Sequence, residues 1–172
     1  MTYTVSDDAT AVHIPALREL FASAWWAATR TEDETRRVLA GSDVVITVTH
    51  DATGQLTGFA RALTDDTCIA LILDVIVAPT ARGTGVGALI MDAVLSHPRI
   101  AGVRSVELVC QPDLIDFYRR WGFTDQVGAS RLMRHTTDPA LSRPSRSLSP
   151  SASRPSSPAP APAPDPGPAH SR

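Results

Sequence analysis

Apolar positions recur along the chain with two periods, one typical of strands and one typical of helices. Alternating or continuous apolar runs predict strands over residues 3–5, 44–49, 56–63, 68–77, 105–110 and 126–133. Apolar residues three and four positions apart predict helices over 15–28, 31–39, 88–97 and 114–121. Turn residues at 51–54 favour an antiparallel hairpin between the second and third strands. This order predicts an α/β domain with a mixed sheet and helices packed on it.

Local signals mark several boundaries of these elements. Pro15 suits the first turn of a helix, because its ring fixes a helical φ and its missing N–H is not needed there. Thr31 and Glu34 have the spacing of a capping box, and Gly41 suits the residue after that helix. Pro79 ends the long apolar strand, because proline cannot continue a central strand.

The composition changes near Thr136. Ten of the 14 prolines lie between Pro139 and Pro168, where apolar residues are too few to bury a core. We therefore predict one folded domain over residues 1–135 and a disordered tail, rich in Pro, Ser, Ala and Arg, over residues 136–172. The chain carries a formal net charge of -2, and the tail, with four Arg and two Asp, is positive. The predicted domain is therefore mildly acidic.

Composition excludes several classes of function. All 16 basic residues are arginines, so Schiff-base catalysis and a Walker A phosphate loop, which both need lysine, are excluded. The near-neutral charge argues against a nucleic-acid partner. Cys68 and Cys110 lie far apart, so we expect neither a disulfide nor a metal site. The acidic N-terminus and the absence of an apolar run of about 20 residues favour a cytoplasmic protein with no membrane partner.

Three glycines connect a predicted buried strand to a helix. The segment runs from Asp74 through Val77 to Arg82-Gly83-Thr84-Gly85-Val86-Gly87. Glycines at a helix start let backbone N–H groups converge on an anion, and the helix dipole adds partial positive charge there. Arg82 adds a fixed charge. The segment therefore predicts a pyrophosphate site, with a tight turn that binds no ligand as the alternative.

The same glycines also fit a dinucleotide fingerprint. Gly83-x-Gly85-x-x-Ala88 matches G-x-G-x-x-G/A, and Glu107 stands near the position of a ribose-binding acid. In nicotinamide enzymes this turn normally follows the first strand and precedes several βαβ units, whereas here a hairpin precedes it and little chain follows. An NAD-binding oxidoreductase is therefore a remote alternative.

A second group of motif residues, over 113–123, distinguishes between the possible phosphate-containing ligands of the glycine turn. Together the two segments resemble the GCN5-related N-acetyltransferase (GNAT) superfamily over about residues 3 to 134. The family's R/Q-x-x-G-x-G/A motif is met by Arg82, Gly85 and Gly87, and the preceding V-x-P by Val77 and Pro79. Its later F-Y-x-x-x-G-F motif is met by Phe117, Tyr118, Gly122 and Phe123. The resemblance implies the GNAT fold, a mixed central sheet with helices on both faces.

The resemblance implies acetyl-CoA as cosubstrate and no metal. The acetyl group would pass to a primary amine of a small molecule, a peptide or a protein by direct attack in a ternary complex. A backbone N–H near Val75 would hold the thioester carbonyl, and Tyr118 would act as general acid toward the departing thiolate. The alternative for Tyr118 is packing against the cofactor. The residues implied to bind acetyl-CoA are Val75, Val77, Arg82, Gly83, Thr84, Gly85, Val86, Gly87, Gln111 and Phe117.

The sequence departs from the family pattern in two places. An asparagine that often precedes F-Y is missing, and Gln111 is the candidate replacement. No residue is marked as the base that deprotonates the amine; Asp74 and Glu107 are candidates, with a structural hydrogen-bonding role as the equal alternative for each. These departures also leave open a non-catalytic acyl-CoA-binding module.

The resemblance implies an acceptor pocket built by the first two helices and the hairpin strands. Trp25, Trp26 and Arg30 fall on the helices, and Arg61 and Asp65 on the hairpin, where aromatic rings beside charged groups suit a small amine that carries an acid. The alternative for the tryptophans is core packing or a lid. Small members of the family often dimerise, which leaves a homodimer open.

Overall fold

The computed structural model describes residues 2–138 and residue 141, and its contacts group Met1–His135 as one unit. The fold described here is that of this unit. The predicted disordered tail lies outside the described residues from 142 onward and at 139–140.

Five strands and four helices build the unit. The strands are β1 (Tyr3–Ser6), β2 (Val44–His50), β3 (Leu56–Thr64), β4 (Ile69–Val77) and β5 (Ser105–Leu108). The helices are α1 (Ile14–Ala22), α2 (Glu32–Ala40), α3 (Val86–Ser96) and α4 (Ile115–Arg119), with short 3-10 turns at Ala9–Ala11, Pro79–Ala81 and Pro112–Leu114. The sheet order is β1-β2-β3-β4-β5, antiparallel except for the parallel pair β4-β5, so the predicted mixed sheet is confirmed.

The helix boundaries follow from local chemistry. Pro15 occupies the first turn of α1. At α2, the Thr31 hydroxyl accepts from the Glu34 N–H, and the Glu34 carboxylate accepts from the Thr31 N–H, which completes the predicted capping box. α1 is shorter than predicted, because it ends at Ala22 and the following residues form turns up to Thr29.

Helices pack on both faces of the sheet, and neighbouring residues of β3 show this. A Cβ at Gly58 would approach to 2.8 Å of side-chain carbons of Val86 and Ile90, so this position faces α3. The next residue, Phe59, points to the other face, where its ring meets that of Phe21 in α1 at 5.4 Å between centroids. The buried core lies on both sides of the central strands.

A bulge interrupts β4 near its centre. The ladder with β3 passes from Phe59↔Ile76 to Arg61↔Leu73, so Asp74 and Val75 together oppose a single residue. Asp74 has a φ of +52°, in the left-handed region that non-glycine residues rarely occupy. The bulge bends β4 at the point where the sheet opens.

The parallel strands β4 and β5 separate part-way along their length. They pair from Ile69↔Ser105 to Ile72↔Leu108, and no pairing continues beyond that point. Residues 73–77 of β4 therefore have a backbone edge without a strand partner on the β5 side. This opening, which we call the notch, lies next to the bulge.

The predicted last strand over 126–133 was wrong. Within the described residues the sheet ends at β5, and 126–133 contain no strand. Gly128 adopts a φ of +67°, which breaks an extended run, and the Arg131 side chain donates to the carbonyls of Gly128 and Ser130. Leu132 and Met133 are 70% and 91% exposed. Their apolar character therefore does not reflect burial against a neighbouring strand.

Candidate active site

The glycine turn after β4 forms an anion-binding geometry. Gly85 is the N-cap of α3 with a φ of +95°, and Gly83 has a φ of +76°. A Cβ at either position would meet no atom within 4 Å, so the space above the turn is open. Glycine is needed at both positions because L side chains strain the left-handed backbone.

Free backbone donors line this turn. Among the described residues, no protein group accepts a hydrogen bond from the N–H groups of Gly83, Gly85, Val86 or Gly87. The Gly85 carbonyl, by contrast, already accepts from Ala88 and Leu89 at 2.9 and 3.1 Å. Free N–H groups at the positive end of α3, an eleven-residue helix, are the donors that a pyrophosphate requires.

Side chains around the turn fix its shape. The Thr84 hydroxyl donates to the Ala81 carbonyl at 2.7 Å, and the Tyr3 hydroxyl lies 2.9 Å from the Thr84 hydroxyl oxygen. Arg82 folds toward β4, where its Nε donates to the Val77 carbonyl at 3.4 Å. Tyr3 carried no sequence signal for this contact, since it lies 81 residues from Thr84.

Phe117 connects α4 to the glycine turn. A Cβ at Gly87 would lie 3.1 Å from Phe117 Cζ, so the ring covers the first turn of α3. On the same ring, the Arg120 guanidinium carbon lies 4.6 Å from the centroid. Trp121 Nε1 donates to Asp92 of α3 at 2.7 Å, which adds a second link between the two helices.

Tyr118 lies on α4 in an apolar environment. Its side chain is buried among aromatic neighbours, with the Phe117 and Phe123 rings at 4.9 and 6.1 Å between centroids. Burial, with a smaller electrostatic contribution from Cys110, raises the pKa of Tyr118 to about 12. Within the described residues the hydroxyl has no hydrogen-bond partner, and it retains contact with solvent. The phenol is therefore protonated and free to donate at neutral pH.

Glu107 and Tyr118 line one cleft of about 940 Å³ along β5, together with Cys110. Glu107 is exposed on the paired part of β5, opposite Leu71 of β4, and so precedes the point where the strands separate. Gln111 is half-buried at the start of the Pro112–Leu114 turn and makes no side-chain hydrogen bond to a described protein group. Its amide is free for a ligand.

Asp74 is held by two arginines. Arg30 donates from both amino groups to the two carboxylate oxygens at 2.9 Å, and Arg61 Nε donates to Oδ2 at 2.6 Å. Burial opposes ionisation of Asp74, but the hydrogen bonds from Arg30 and Arg61 outweigh it, so the pKa is lowered. A carboxylate with a lowered pKa and both oxygens occupied is a weak proton acceptor. The geometry therefore favours a positioning role for Asp74 over the role of a base.

The remaining predicted pocket residues separate into two groups. Trp25 is 58% exposed and packs edge-to-face on the half-buried Trp26 at 5.6 Å, in the turns that lead to Arg30. Asp65 lies elsewhere: its carboxylate accepts from the N–H groups of Thr67, Cys68 and Ile69 and closes the β3–β4 turn. Five residues of β4, roughly 17 Å, separate that turn from the Asp74 cluster.

Residues 2–138 contain neither a metal-ligand cluster nor a membrane-spanning helix. Over residues 2–138, no three His, Cys, Asp or Glu side chains are grouped so that they could hold a metal ion. In the same part of the chain, no helix is long and apolar enough to cross a membrane.

Comparisons with known proteins identify the family. A model described as "Acetyltransferase (GNAT) domain" matches residues 41–125. A GNAT-family protein from Xanthomonas campestris pv. campestris, of known crystal structure, is 30% identical in sequence to this chain. The two structures align with a TM-score of 0.70 over 79% of this chain and 94% of that one. The chain belongs to the GNAT family.

Two curated relatives agree with this assignment to GNAT. Serotonin N-acetyltransferase 2, chloroplastic, from Oryza sativa subsp. japonica is 32% identical over 133 residues, which cover 76% of this chain. An uncharacterized N-acetyltransferase of Porphyra purpurea is 32% identical over 114 residues, or 65% of this chain. The chain spans 66% and 65% of the length of these two relatives.

The extent of the GNAT match divides the site. Residues 41–125 include the bulge in β4, the glycine turn and Tyr118. They exclude Trp25, Trp26 and Arg30, the helix-side part of the predicted acceptor pocket. The family model therefore covers the bulge, the glycine turn and Tyr118, and it leaves the helix-side part of the predicted acceptor pocket outside the match.

Proposed function

We propose that this chain transfers an acetyl group from acetyl-CoA to a primary amine by direct attack in a ternary complex. The observation that carries the proposal is the continuity of the notch with the glycine turn. The free edge of β4, at residues 73–77, leads through Pro79–Ala81 to four unpartnered backbone N–H groups. An extended chain that ends in a pyrophosphate fits such a path, because the edge offers strand-like hydrogen bonds and the turn offers anion donors.

The residues that would hold acetyl-CoA follow this path. Val75 and Val77 present backbone groups to the pantetheine, and Arg82 with residues 83–87 presents donors and positive charge to the pyrophosphate. Phe117 covers the start of α3, and Gln111, whose amide has no hydrogen-bond partner among the described residues, is the candidate to replace the family's asparagine. Acetyl-CoA would supply the thioester that the amine attacks.

The bulge in β4 supports the proposal that a backbone N–H near Val75 holds the thioester carbonyl. Because Asp74 and Val75 oppose a single residue of β3, the ladder is irregular there, and an N–H at Val75 can turn toward the notch. A fixed N–H aimed at the thioester oxygen stabilises the negative charge that forms on it during attack, at no cost of reorganisation.

Tyr118 would donate the proton that the departing thiolate needs. With a pKa of about 12, the phenol stays protonated at neutral pH. Because an ordinary thiol has a pKa of about 8.5, below that of this phenol, donation requires that the same low-dielectric environment also raise the basicity of the departing thiolate. For the proton on the amine, Asp74 is poorly suited, and Glu107, exposed on β5, remains the candidate, directly or through water.

A ligand series tests the proposal. The melting temperature is measured with acetyl-CoA and with NAD in separate samples; a ligand at 100 times its Kd adds about 2.7 kcal/mol of stability, or several degrees. We expect a shift with acetyl-CoA alone, followed by amine-dependent release of free thiol. No shift with acetyl-CoA contradicts the proposal, and a shift with NAD supports the oxidoreductase. A shift without thiol release for any amine supports the non-catalytic module instead.

A further inference from the structure

Three charged side chains from separate elements meet beside the bulge in β4. Arg30 follows α1, Arg61 lies on β3 and Asp74 lies on β4, on the α1 face of the sheet. Their side chains are only 20%, 14% and 6% exposed. Asp74 faces two positive charges, and the carboxylate of Glu34, whose pKa Arg30 helps to lower, is a further acid that acts on Arg30. Among the described residues Arg61 forms an ion pair with Asp74 alone, so an anion that reaches Arg61 adds a favourable charge interaction at low exposure.

The hydrogen bonds leave one fork of donors unused. Arg30 spends both amino groups on Asp74, whereas Arg61 contacts Asp74 only through Nε. Among the described residues, neither amino group of Arg61 has a protein partner, and no unpartnered side-chain nitrogen is sealed from solvent. The two amino groups of Arg61 therefore reach solvent from a guanidinium that Asp74 fixes in place.

We propose that the acceptor amine carries a carboxylate or a phosphate, and that the two amino groups of Arg61 bind this anionic group. The inference rests on the proposed acetyl transfer and specifies its substrate class. A planar guanidinium offers two parallel N–H donors, which match two oxygens of either anion. Because Asp74 already holds the guanidinium, binding costs little side-chain entropy.

The position of Arg61 suits this role. Asp74 directly precedes Val75, about 3.8 Å away between Cα atoms, and Val75 is the residue proposed to hold the thioester carbonyl. An acid held by Arg61 therefore brings the amine of a compact molecule to the notch. Arg30 supports the arrangement from the other side, where its guanidinium carbon lies 4.8 Å from the centroid of the Phe21 ring.

Matched pairs of amines test this inference by binding. Calorimetry on the CoA-saturated protein compares phenethylamine with phenylalanine, ethanolamine with 2-aminoethyl phosphate, and glucosamine with glucosamine 6-phosphate. We expect tighter binding of the anionic member by about 10- to 100-fold in at least one pair, the range of a charge-assisted hydrogen-bond pair. The first pair reports on a carboxylate, and the other two report on a phosphate.

Variants assign the effect to Arg61. Arg61→Gln and Arg61→Lys should both abolish the preference for the anionic member of each pair; the lysine variant keeps a positive charge beside Asp74 but lacks the planar fork of two amino groups. Arg36→Gln is the control, because it removes one positive charge from an exposed pair on α2. The control should keep the preference.

The outcomes separate this inference from the proposed function. Equal or tighter binding of the neutral member in every pair overturns the inference, even if neutral amines are acetylated. A preference that survives both Arg61 variants overturns it as well. Binding of an anionic amine that depends on Arg61 supports the inference whether or not thiol is released, whereas the absence of thiol release for any amine contradicts only the acetyl transfer.

Discussion

Phe117 lies so close to Gly87 that a methyl group there would stand 3.1 Å from Cζ of the ring. This contact joins α4, which carries Tyr118, to the helix start proposed to bind pyrophosphate. A glycine that the sequence motif assigns to phosphate binding thus also has a packing reason. The spacing between α4 and the start of α3 therefore depends on the absence of a side chain at position 87.

The first prediction concerns Gly87→Ala. The added methyl group displaces the Phe117 ring by a few tenths of an ångström, so we expect acetyl-CoA affinity to fall about tenfold or more, since each 1.4 kcal/mol of lost interaction is a factor of ten. Calorimetric titration measures it. Gly102→Ala is the control, because a Cβ there meets nothing within 4 Å. Equal Kd values for the two variants would show that the contact does not support the cofactor site.

The second prediction concerns Gly85→Asp. A carboxylate at the start of α3 would repel the pyrophosphate, so binding of acetyl-CoA should be lost. The left-handed backbone also strains any L residue by about 1–2 kcal/mol, which lowers the melting temperature. Gly54→Asp separates the two effects, because Gly54 has a φ of +66° in the turn between β2 and β3, where a Cβ meets no atom within 4 Å. Gly54→Asp should lose stability and keep its affinity for acetyl-CoA. If Gly85→Asp still binds acetyl-CoA, the glycine turn is not the anion site.

The parts of the structure that were predictable from sequence are those with local causes. The capping box at Thr31 and the glycines at 83 and 85 act through their own backbone, so spacing alone reveals them. The cluster of Arg30, Arg61 and Asp74 has no such signature, because the three residues are distant in sequence and meet only once β4 bulges.

The predicted sixth strand, over 126–133, is an error of the opposite kind, because the sequence predicted an element that the described residues do not form. The apolar residues of 126–133 have the composition of a strand, but composition does not state whether a partner edge exists. The left-handed Gly128 and the exposed Leu132 and Met133 show that no such partner is used by the described residues. A strand needs a neighbour, and that requirement is not visible in a short window of sequence.

The third prediction concerns Tyr118→Phe. Removing the hydroxyl should lower kcat by about 10²-fold or more while the Kd of acetyl-CoA stays within threefold, because the ring packing is kept. Steady-state thiol release and calorimetry measure the two quantities. A kcat within threefold of the wild type would leave Tyr118 as a packing residue.

The raised pKa of Tyr118 also has a consequence for stability. The folded-state pKa is about 12, above the unfolded value of about 10. The corresponding contribution to the free energy of unfolding is complete below pH 10 and is lost as the pH rises toward 12. Urea titrations between pH 9 and 12 should therefore show a steeper loss for the wild type than for Tyr118→Phe. Parallel curves would contradict the burial of the phenol.

The last prediction separates a base from a positioning residue at Asp74. Asp74→Asn leaves Arg30 and Arg61 without an anionic partner at low exposure, so we expect a loss of about 3 kcal/mol in the free energy of unfolding at pH 7. The control, Asp33→Asn, breaks a pair with Arg37 that is more than 70% exposed on both sides, and it should cost less than about 1 kcal/mol.

The pH dependence gives Asp74 a second, independent readout. Its pKa is lowered in the folded state, so its contribution to stability is present above the unfolded pKa of about 4 and is lost as the pH falls through the folded value. The wild type should therefore have a larger free energy of unfolding than Asp74→Asn down to about pH 4, and this difference should disappear only below that pH. In thiol-release assays the wild-type pH–rate profile between pH 6 and 8 should carry no step that Asp74→Asn removes. If such a step disappears in the variant while the free energy of unfolding is unchanged, Asp74 is the base. That outcome would contradict a positioning role in which Arg30 and Arg61 hold the buried carboxylate.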